Sequence, residues 1–366
     1  MTAVNSFKFT PHSDFRLNGQ KLRHQDIAEY AEQCEFHGEV FEQEVGAFLK
    51  DFVSADPEIN VFTSGSTGKP KKITLQKKNM INSAKATGDF FKLPEETTAL
   101  LCLPTSYIAG KMMLVRAMVL GWHLESVVPK SNPLDQILKR FDFCAMTPFQ
   151  LDNSLGRMHL IKKLIVGGGK VSARLEKRVQ DLDTEIYETY GMTETITHVA
   201  ARQINFSKNQ TEKIPFRAMK KVKFEIDDRD CLIINAPKLS EEPIFTNDIV
   251  KLISHKKFFW KGRFDRVINS GGIKIFPEQV ERKLEPFISR RFFITGLPHD
   301  SLGERVVLFI ESDFSEDALK DLEDTISSAE NLSKYQRPRK IYFVEKFEET
   351  HTGKIHRINT AQAKRD

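Results

Sequence analysis

The chain has 366 residues, 40% of them hydrophobic and 29% charged, with 55 Lys and Arg against 50 Asp and Glu. That composition excludes disordered and fibrous classes, and at roughly 100–200 residues per domain it predicts two or three domains with room for a cleft between lobes. A net charge of +5 spread over so many ionisable groups implies a solvated surface of mixed sign, not a nucleic-acid groove.

Cys34, Cys102, Cys144 and Cys231 are widely spaced, with no Cys-x-x-Cys pair and no histidine at metal-ligand spacing, so zinc is not expected. Cys102 and Cys144 sit in apolar runs and read as reduced core residues, in keeping with a cytoplasmic location. The N-terminal residues carry no apolar signal core, and no run approaches about 18 apolar residues, so neither export nor a membrane span is expected.

In chain order, apolar residues at helical spacing (Ile27, Tyr30, Ala31, then Val40, Phe41, Val45, Phe48, Leu49 and Phe52) predict two amphipathic helices between Gln25 and Val53. Strand-like Asn60–Phe62 and Lys72–Leu75 flank a Gly/Ser/Thr/Lys loop, and a helix is expected from about Lys78 to Phe91. Apolar runs at Thr98–Leu103, Phe141–Met146, Lys163–Val166 and Glu185–Tyr187 alternate with helical patterns at Met112–Leu124, Pro133–Arg140 and Ala173–Leu182. The alternation predicts an α/β sheet covered on both faces. After Ile204 come shorter strands (Lys221–Ile226, Cys231–Ile234, Ile249–Ile253, Phe258–Trp260), the pattern of a smaller β-rich subdomain. From Val267 the pattern changes again: strand Ile273–Ile275, a helix from Pro277, a hairpin across Phe292–Ile310, a helix Ser315–Ala329 and a strand Ile341–Val344. This predicts a compact α+β unit of about 100 residues.

The loop Thr63-Ser64-Gly65-Ser66-Thr67-Gly68-Lys69-Pro70-Lys71 concentrates two glycines, hydroxyls and lysines. Small residues let backbone N–H groups approach anionic oxygens, while hydroxyls and ammonium groups add donors and charge, so polyphosphate binding is the natural chemistry. It is not a Walker A loop, because Pro70 and a strand follow Lys69 where that motif opens a helix. A solvated hairpin loop would use similar residues.

Further segments follow in order: Leu103-Pro104-Thr105-Ser106-Tyr107-Ile108-Ala109-Gly110, Tyr190-Gly191-Met192-Thr193-Glu194-Thr195, Thr246-Asn247-Asp248, Gly262-Arg263-Phe264-Asp265-Arg266, Ser270-Gly271-Gly272-Ile273-Lys274 and Thr352-Gly353-Lys354-Ile355-His356-Arg357. With the phosphate loop, these resemble the signature segments of the adenylate-forming superfamily of acyl-CoA synthetases, adenylation domains and luciferases, over about residues 58–357. The resemblance implies an AMP-binding unit, residues 1–264, made of a layered α/β lobe with a β-rich subdomain, and a mobile α+β unit, residues 265–366. It implies ATP, Mg²⁺ and CoA as co-reactants.

By that resemblance, Thr63 to Lys69 would cradle the β- and γ-phosphates, Thr193 would contact the α-phosphate, and Glu194 would hold Mg²⁺. Tyr190 and Gly191 would meet adenine, Asp248 and Arg263 the ribose, and Gly167 and Gly168 the floor of the pocket. Lys354 would be the catalytic lysine, Asp265 the hinge, and Gly271 would make room for a pantetheine arm. Asn247 departs from the usual Gly of its motif, and asparagine is expected to replace glycine there at positive φ.

The phosphate loop begins early in the chain, and this shortened N-terminal region resembles compact o-succinylbenzoate:CoA ligases of menaquinone biosynthesis. Arg116 stands where that comparison places a guanidinium for a second substrate carboxylate, although a buried ion pair would explain it equally well. Tyr107 stands where many relatives have His. The expected substrates are therefore an aromatic carboxylic acid, ATP and CoA, with no nucleic-acid or membrane partner; a homodimer is left open. An enzyme loading a carrier protein and a non-catalytic nucleotide-binding protein remain alternatives.

Overall fold

The computed structural model describes residues 7–63, 71–205, 214–349 and 355–362. Among them, strands β1 (Arg16–Leu17) and β2 (Gln20–Lys21) precede helices α1 (Asp26–His37) and α2 (Val40–Val53). β3 (Glu58–Thr63) and β4 (Lys71–Gln76) form a separate antiparallel hairpin that runs into α3 (Lys77–Phe91). Then follow β5 (Thr98–Leu101), α4 (Ile108–Leu120), β6 (His123–Ser126), β7 (Phe141–Met146), α5 (Pro148–Ser154), β8 (Ile161–Val166), α6 (Ala173–Arg178) and β9 (Glu185–Gly191). β10 (His198–Gln203), β11 (Phe216–Ala218), β12 (Lys223–Ile226), β13 (Cys231–Asn235), β14 (Ile244–Ser254) and β15 (Lys257–Arg263) complete the larger unit.

Parallel pairing of β6, β5, β7, β8 and β9 makes the centre of a 13-stranded sheet, and antiparallel strands β10 to β15 extend it beyond β9. The β-rich region expected as a distinct subdomain is thus hydrogen-bonded edge to edge with the α/β sheet. Successive side chains of a strand face opposite sides. Ala99, Leu101, Phe143, Ala145 and Ile165 therefore enter one core, with α2, α3 and α4, while Leu100, Cys144, Met146, Leu164 and Val166 enter a second core with α5 and α6. This is why the central strands are rich in apolar residues on both faces.

Local chemistry fixes the helix ends. Glu39 and Glu42 form a capping box at the start of α2, and Thr147 and Gln150 form another at α5, where Pro148 opens the helix. α4 is apolar almost all round, and residues 112–118 are buried. It stops at Gly121, whose φ of +71° ends the helix before the expected Leu124, and His123 and Leu124 then enter β6. The helix expected over Pro133–Arg140 is absent. This segment forms turns, with Leu138 exposed and the Ile137 carbonyl accepting from Arg157 at 2.5 Å; Leu134 and a half-buried Ile137 anchor it in the core, too little apolar surface to hold a helix face. α6 likewise ends at Arg178, short of the expected Leu182.

The smaller unit follows a single-turn 3₁₀ segment, Phe264–Arg266. It contains β16 (Ile268–Ser270), β17 (Ile273–Ile275), α7 (Pro277–Leu284), β18 (Phe292–His299), β19 (Gly303–Glu311), α8 (Glu316–Ser328), β20 (Ile341–Val344) and α9 (Arg357–Gln362). Its five strands form one sheet, with β20 parallel to β19, and apolar cores lie on both faces. No helix among the described residues is long and apolar enough to cross a membrane.

Charged contacts dock the two units. Glu176 of α6 accepts from Arg202 of β10 at 3.1 Å and from Arg282 of α7 at 2.5 Å, and Glu285 accepts from the Ala173 N–H at 2.5 Å. Burial pushes the Glu176 carboxyl up, but Arg202 and Arg282 together outweigh it and hold the group below the usual carboxylate range. A depressed carboxyl contributes stability that is complete above its unfolded pKa of about 4.3 and is lost as pH falls through the folded value. The melting temperature of Glu176→Gln is therefore expected to fall less steeply than that of the parent protein between about pH 5 and pH 3; parallel pH profiles would remove Glu176 from this role.

Candidate active site

The Tyr190–Thr195 segment forms the end of β9 and a 3₁₀ turn. Gly191 lies opposite His198 in the β9–β10 ladder, and a Cβ there would come within 2.2 Å of the Thr197 carbonyl oxygen, so only glycine allows this approach. The turn is fixed from within: the Thr195 hydroxyl accepts from the Met192 N–H at 2.9 Å and donates to the Thr197 carbonyl at 2.6 Å. Next comes Ile196, at φ +67° and ψ −54°, while the Thr197 N–H reaches back to the Thr195 carbonyl at 2.7 Å. This is a γ-turn of positive φ, a strained form for a β-branched residue. Glu194 is exposed and has no ion pair or side-chain hydrogen bond among the described residues.

Asp248 sits one strand pair away. It is 8% exposed, and its two carboxylate oxygens accept from the Tyr190 hydroxyl at 2.7 Å and from Trp260 Nε1 at 3.0 Å. Burial, reinforced by Asp248, pushes the Tyr190 hydroxyl well up, so it stays protonated and donates. Each carboxylate oxygen keeps a free lone-pair direction, the number needed to accept from a vicinal diol. Tyr190 also packs edge-on to Phe258, with centroids 5.1 Å apart, so the residue expected to stack on adenine packs as a core residue.

Arg263 is the register partner of Asp248, yet its guanidinium forks onto Asp265 through two contacts of 2.9 Å. The expected ribose partner and the expected hinge residue thus hold one another. The positive φ expected at Asn247 does not occur: the residue lies in the extended run of β14, and its side chain accepts from Arg229 at 3.3 Å. Extended backbone suits any L-residue, so Asn costs nothing where relatives have Gly.

Gly167 and Gly168 follow β8, and Gly168 takes φ +77°. A Cβ on Gly167 would lie 2.6 Å from the Thr189 hydroxyl, which brings this turn against β9 just before Tyr190. In the smaller unit, Gly271 and Gly272 take φ +58° and +81° in the β16–β17 turn. Ser64 to Pro70, with Ser64, Gly65, Ser66, Thr67, Gly68 and Lys69, and the segment holding Lys354 lie outside the described residues; Ile355 lines a cleft of about 400 Å³ with Pro148, Phe149 and Lys170, between the two units.

Arg116, on α4, is 1% exposed and has no carboxylate partner among the described residues. The buried ion pair allowed by the sequence is not formed. Its guanidinium donates to the hydroxyls of Thr87 at 3.3 Å and Thr197 at 3.2 Å. Burial pushes it down to about 9, still cationic at neutral pH. His198 closes the ring, with Nε2 3.3 Å from the Thr87 hydroxyl and Nδ1 3.4 Å from that of Thr197; burial, then Arg116, pushes the imidazole well down, so it is neutral. Among the described residues this buried cation meets only neutral groups, so an anion would complete an ion pair with it. Tyr107 caps the start of α4 and is 39% exposed.

Sequence reasoning did not single out Thr87, Thr197, His198 or Trp260. Thr197 and His198 directly continue the Tyr190–Thr195 motif, which was the available signal; Thr87 and Trp260 carried none.

Residues 20–229 match the profile of the AMP-binding enzyme family. Similar curated proteins include the 2-succinylbenzoate–CoA ligase of Enterococcus faecalis, 25% identical over 337 residues, which cover 82% of this chain and 69% of that protein. The ligase of the same name from Staphylococcus aureus is 27% identical over 81% of this chain and 65% of its own. Among solved structures, an acyl-CoA synthetase (AMP-forming)/AMP-acid ligase II-like protein from Dyadobacter fermentans is 35% identical, with TM-score 0.58, covering 88% of this chain and 94% of its own. The o-succinylbenzoate CoA synthetase of Bacillus subtilis, in complex with its acyl-adenylate, is 18% identical with TM-score 0.72 over 93% and 81% of the two chains, a likeness of fold. The ordered motifs, the sheet that carries them and the profile match over more than half the residues agree: the chain belongs to the AMP-binding enzyme family.

Proposed function

We propose that this chain is an AMP-forming acid–thiol ligase that activates an aromatic dicarboxylic acid, with o-succinylbenzoate the favoured substrate. A carboxylate is a poor electrophile and oxide a hopeless leaving group. Attack of the carboxylate oxygen on the ATP α-phosphorus expels pyrophosphate and gives an acyl-adenylate. The CoA thiol then attacks the acyl carbon, losing its proton as AMP departs, to give the thioester. The observation that carries the substrate class is the buried, unpaired Arg116, which would complete an ion pair with a second carboxylate on the acid. The ligase names of the curated relatives support the same acid and acceptor.

In this reading Thr63 to Lys69 bind the outer phosphates, Thr193 the α-phosphate, Tyr190 and Gly191 the adenine, Asp248 and Arg263 the ribose, and Gly167, Gly168 and Tyr107 line the acyl pocket. Glu194 fits a hard cation: an exposed carboxylate without a partner among the described residues is the kind of single protein ligand that Mg²⁺ commonly takes alongside phosphates and water. When bound, that ion neutralises charge on the phosphates. Residues 1–264 and 265–366 act as separate bodies, with Asp265 the hinge and Gly271 on the thiol path, and the protein works in the cytoplasm.

Acid-dependent ATP–pyrophosphate exchange over a panel of carboxylates tests the assignment. Exchange that is greatest with o-succinylbenzoate supports it, and no exchange with any acid defeats it. Asp248→Asn is expected to raise the KM for ATP at least tenfold, because the amide offers a donor where the ribose needs an acceptor. An unchanged ATP KM would remove Asp248 from the nucleotide site.

A further inference from the structure

His198 touches more than the Arg116 ring. It also forms part of the wall of a cavity of about 170 Å³ lying between α3 and the segments that follow β11 and β13. The other walls are largely apolar, from Ala86, Met219 and Leu239 among others, and four lysines line it: Lys85, Lys220, Lys221 and Lys238. Lys220 pairs with Asp89 at 2.9 Å, and among the described residues Asp89 is the only carboxylate lining the cavity, while Lys85, Lys221 and Lys238 make no ion pair. The rim is tied down, since Asn79 donates to the Leu239 carbonyl at 2.9 Å and Asn82 to that of Lys238 at 3.0 Å.

His198 therefore stands between an apolar cavity lined by cations and a ring of hydroxyls around a buried cation. It lies opposite Gly191 in the ladder, one strand from the adenylation motif. Its hydrogen bonds of 3.3 and 3.4 Å are at the long, weak end of the range.

Resting on the function proposed above, we infer that the acid is admitted through this cavity, apart from the nucleotide cleft, and that the lysines select dianionic aryl acids. The apolar walls accommodate the aryl body. Unpaired charges of one sign at the mouth of a low-dielectric cleft focus the field and raise the capture rate of an oppositely charged ligand, by about 10- to 1000-fold at low salt. This attraction is screened beyond about 10 Å at 0.1 M ionic strength.

The test compares Lys85→Glu/Lys221→Glu/Lys238→Glu, the cavity-filling Ala86→Phe, and a charge-matched control, Lys320→Glu/Lys334→Glu/Lys346→Glu, whose lysines lie in the smaller unit. Initial rates of pyrophosphate release are measured with 2-succinylbenzoate at several salt concentrations. The cavity triple is expected to lower kcat/KM for the acid about tenfold and to flatten its salt dependence, while the KM for ATP stays put. Ala86→Phe should raise the KM for the acid at every salt concentration. The control triple should match the parent protein. The inference stands only if both cavity variants shift in these ways; parent-like acid kinetics in either one overturns it, as does an equal shift in the control. Failure of the parent protein to release pyrophosphate with any acid would instead overturn the proposed function.

Discussion

Replacing Lys354 by alanine is expected to reduce acid-dependent ATP–pyrophosphate exchange by a factor of about 10² to 10³, while thioester formation from supplied acyl-adenylate changes by less than a few-fold. The two half-reactions ask different things of a cation. Adenylation brings a carboxylate against a polyphosphate, and negative charge concentrates on the oxygens around the α-phosphorus only as the bond forms. An ammonium there stabilises the transition state more than the ground state, so its removal acts on kcat. Thiol attack on the adenylate begins from a good electrophile and needs no such bridge. Separate measurement of the two steps decides the matter, and equal losses in both would strip Lys354 of its assigned role.

Arg116→Met is expected to raise the KM for a dicarboxylic acid by about 10- to 100-fold, the worth of one or two charge-assisted hydrogen bonds, and at the same time to stabilise the fold. The second effect follows from the environment. A guanidinium without a carboxylate loses its hydration and gains two hydroxyl partners and the Met113 sulfur, whereas methionine fills much of the same space among Met113, Thr87 and Thr197 without that penalty. Replacing buried charge by apolar side chains commonly gains about 1–4 kcal/mol. Thermal unfolding and acid-dependent kinetics on the same variant check both halves. A variant less stable than the parent with an unaltered acid KM would mark Arg116 as structural.

How far the sequence announced this molecule depended on the range of each interaction. The antiparallel hairpin of β3 and β4, the capped start of α8 at Ser315 and the strand Ile341–Val344 are set by residues close together in the chain, and each occurs where local pattern predicts it. Pattern failed where too few anchors had to stand for a face. Over Pro133–Arg140 the spacing suggested a helix, but the core takes up only Leu134 and part of Ile137. At Asn247 the expectation came from the glycine of relatives, and the strand simply continues.

The candidate site divides in the same way. Tyr190, Gly191, Thr193 and Glu194 lie in one short segment and could be named at once. Asp248 and Arg263 came from separate motifs, which the β14–β15 ladder sets side by side. The ring around Arg116 could not be read, since its contacts join residues 29, 81 and 111 positions apart and depend on α3 and α4 crossing beside β10.

The contorted peptide at Ile196 gives these two halves a mechanical connection. On one side of it lie the side chains assigned to phosphate and magnesium, and on the other the hydroxyl and imidazole that surround the buried guanidinium. A single residue separates Thr195, which ties the first group in place, from Thr197, which belongs to the second. Relaxing that backbone would shift both together, so in the proposed function a change at Ile196 would reach the acid and the nucleotide at once.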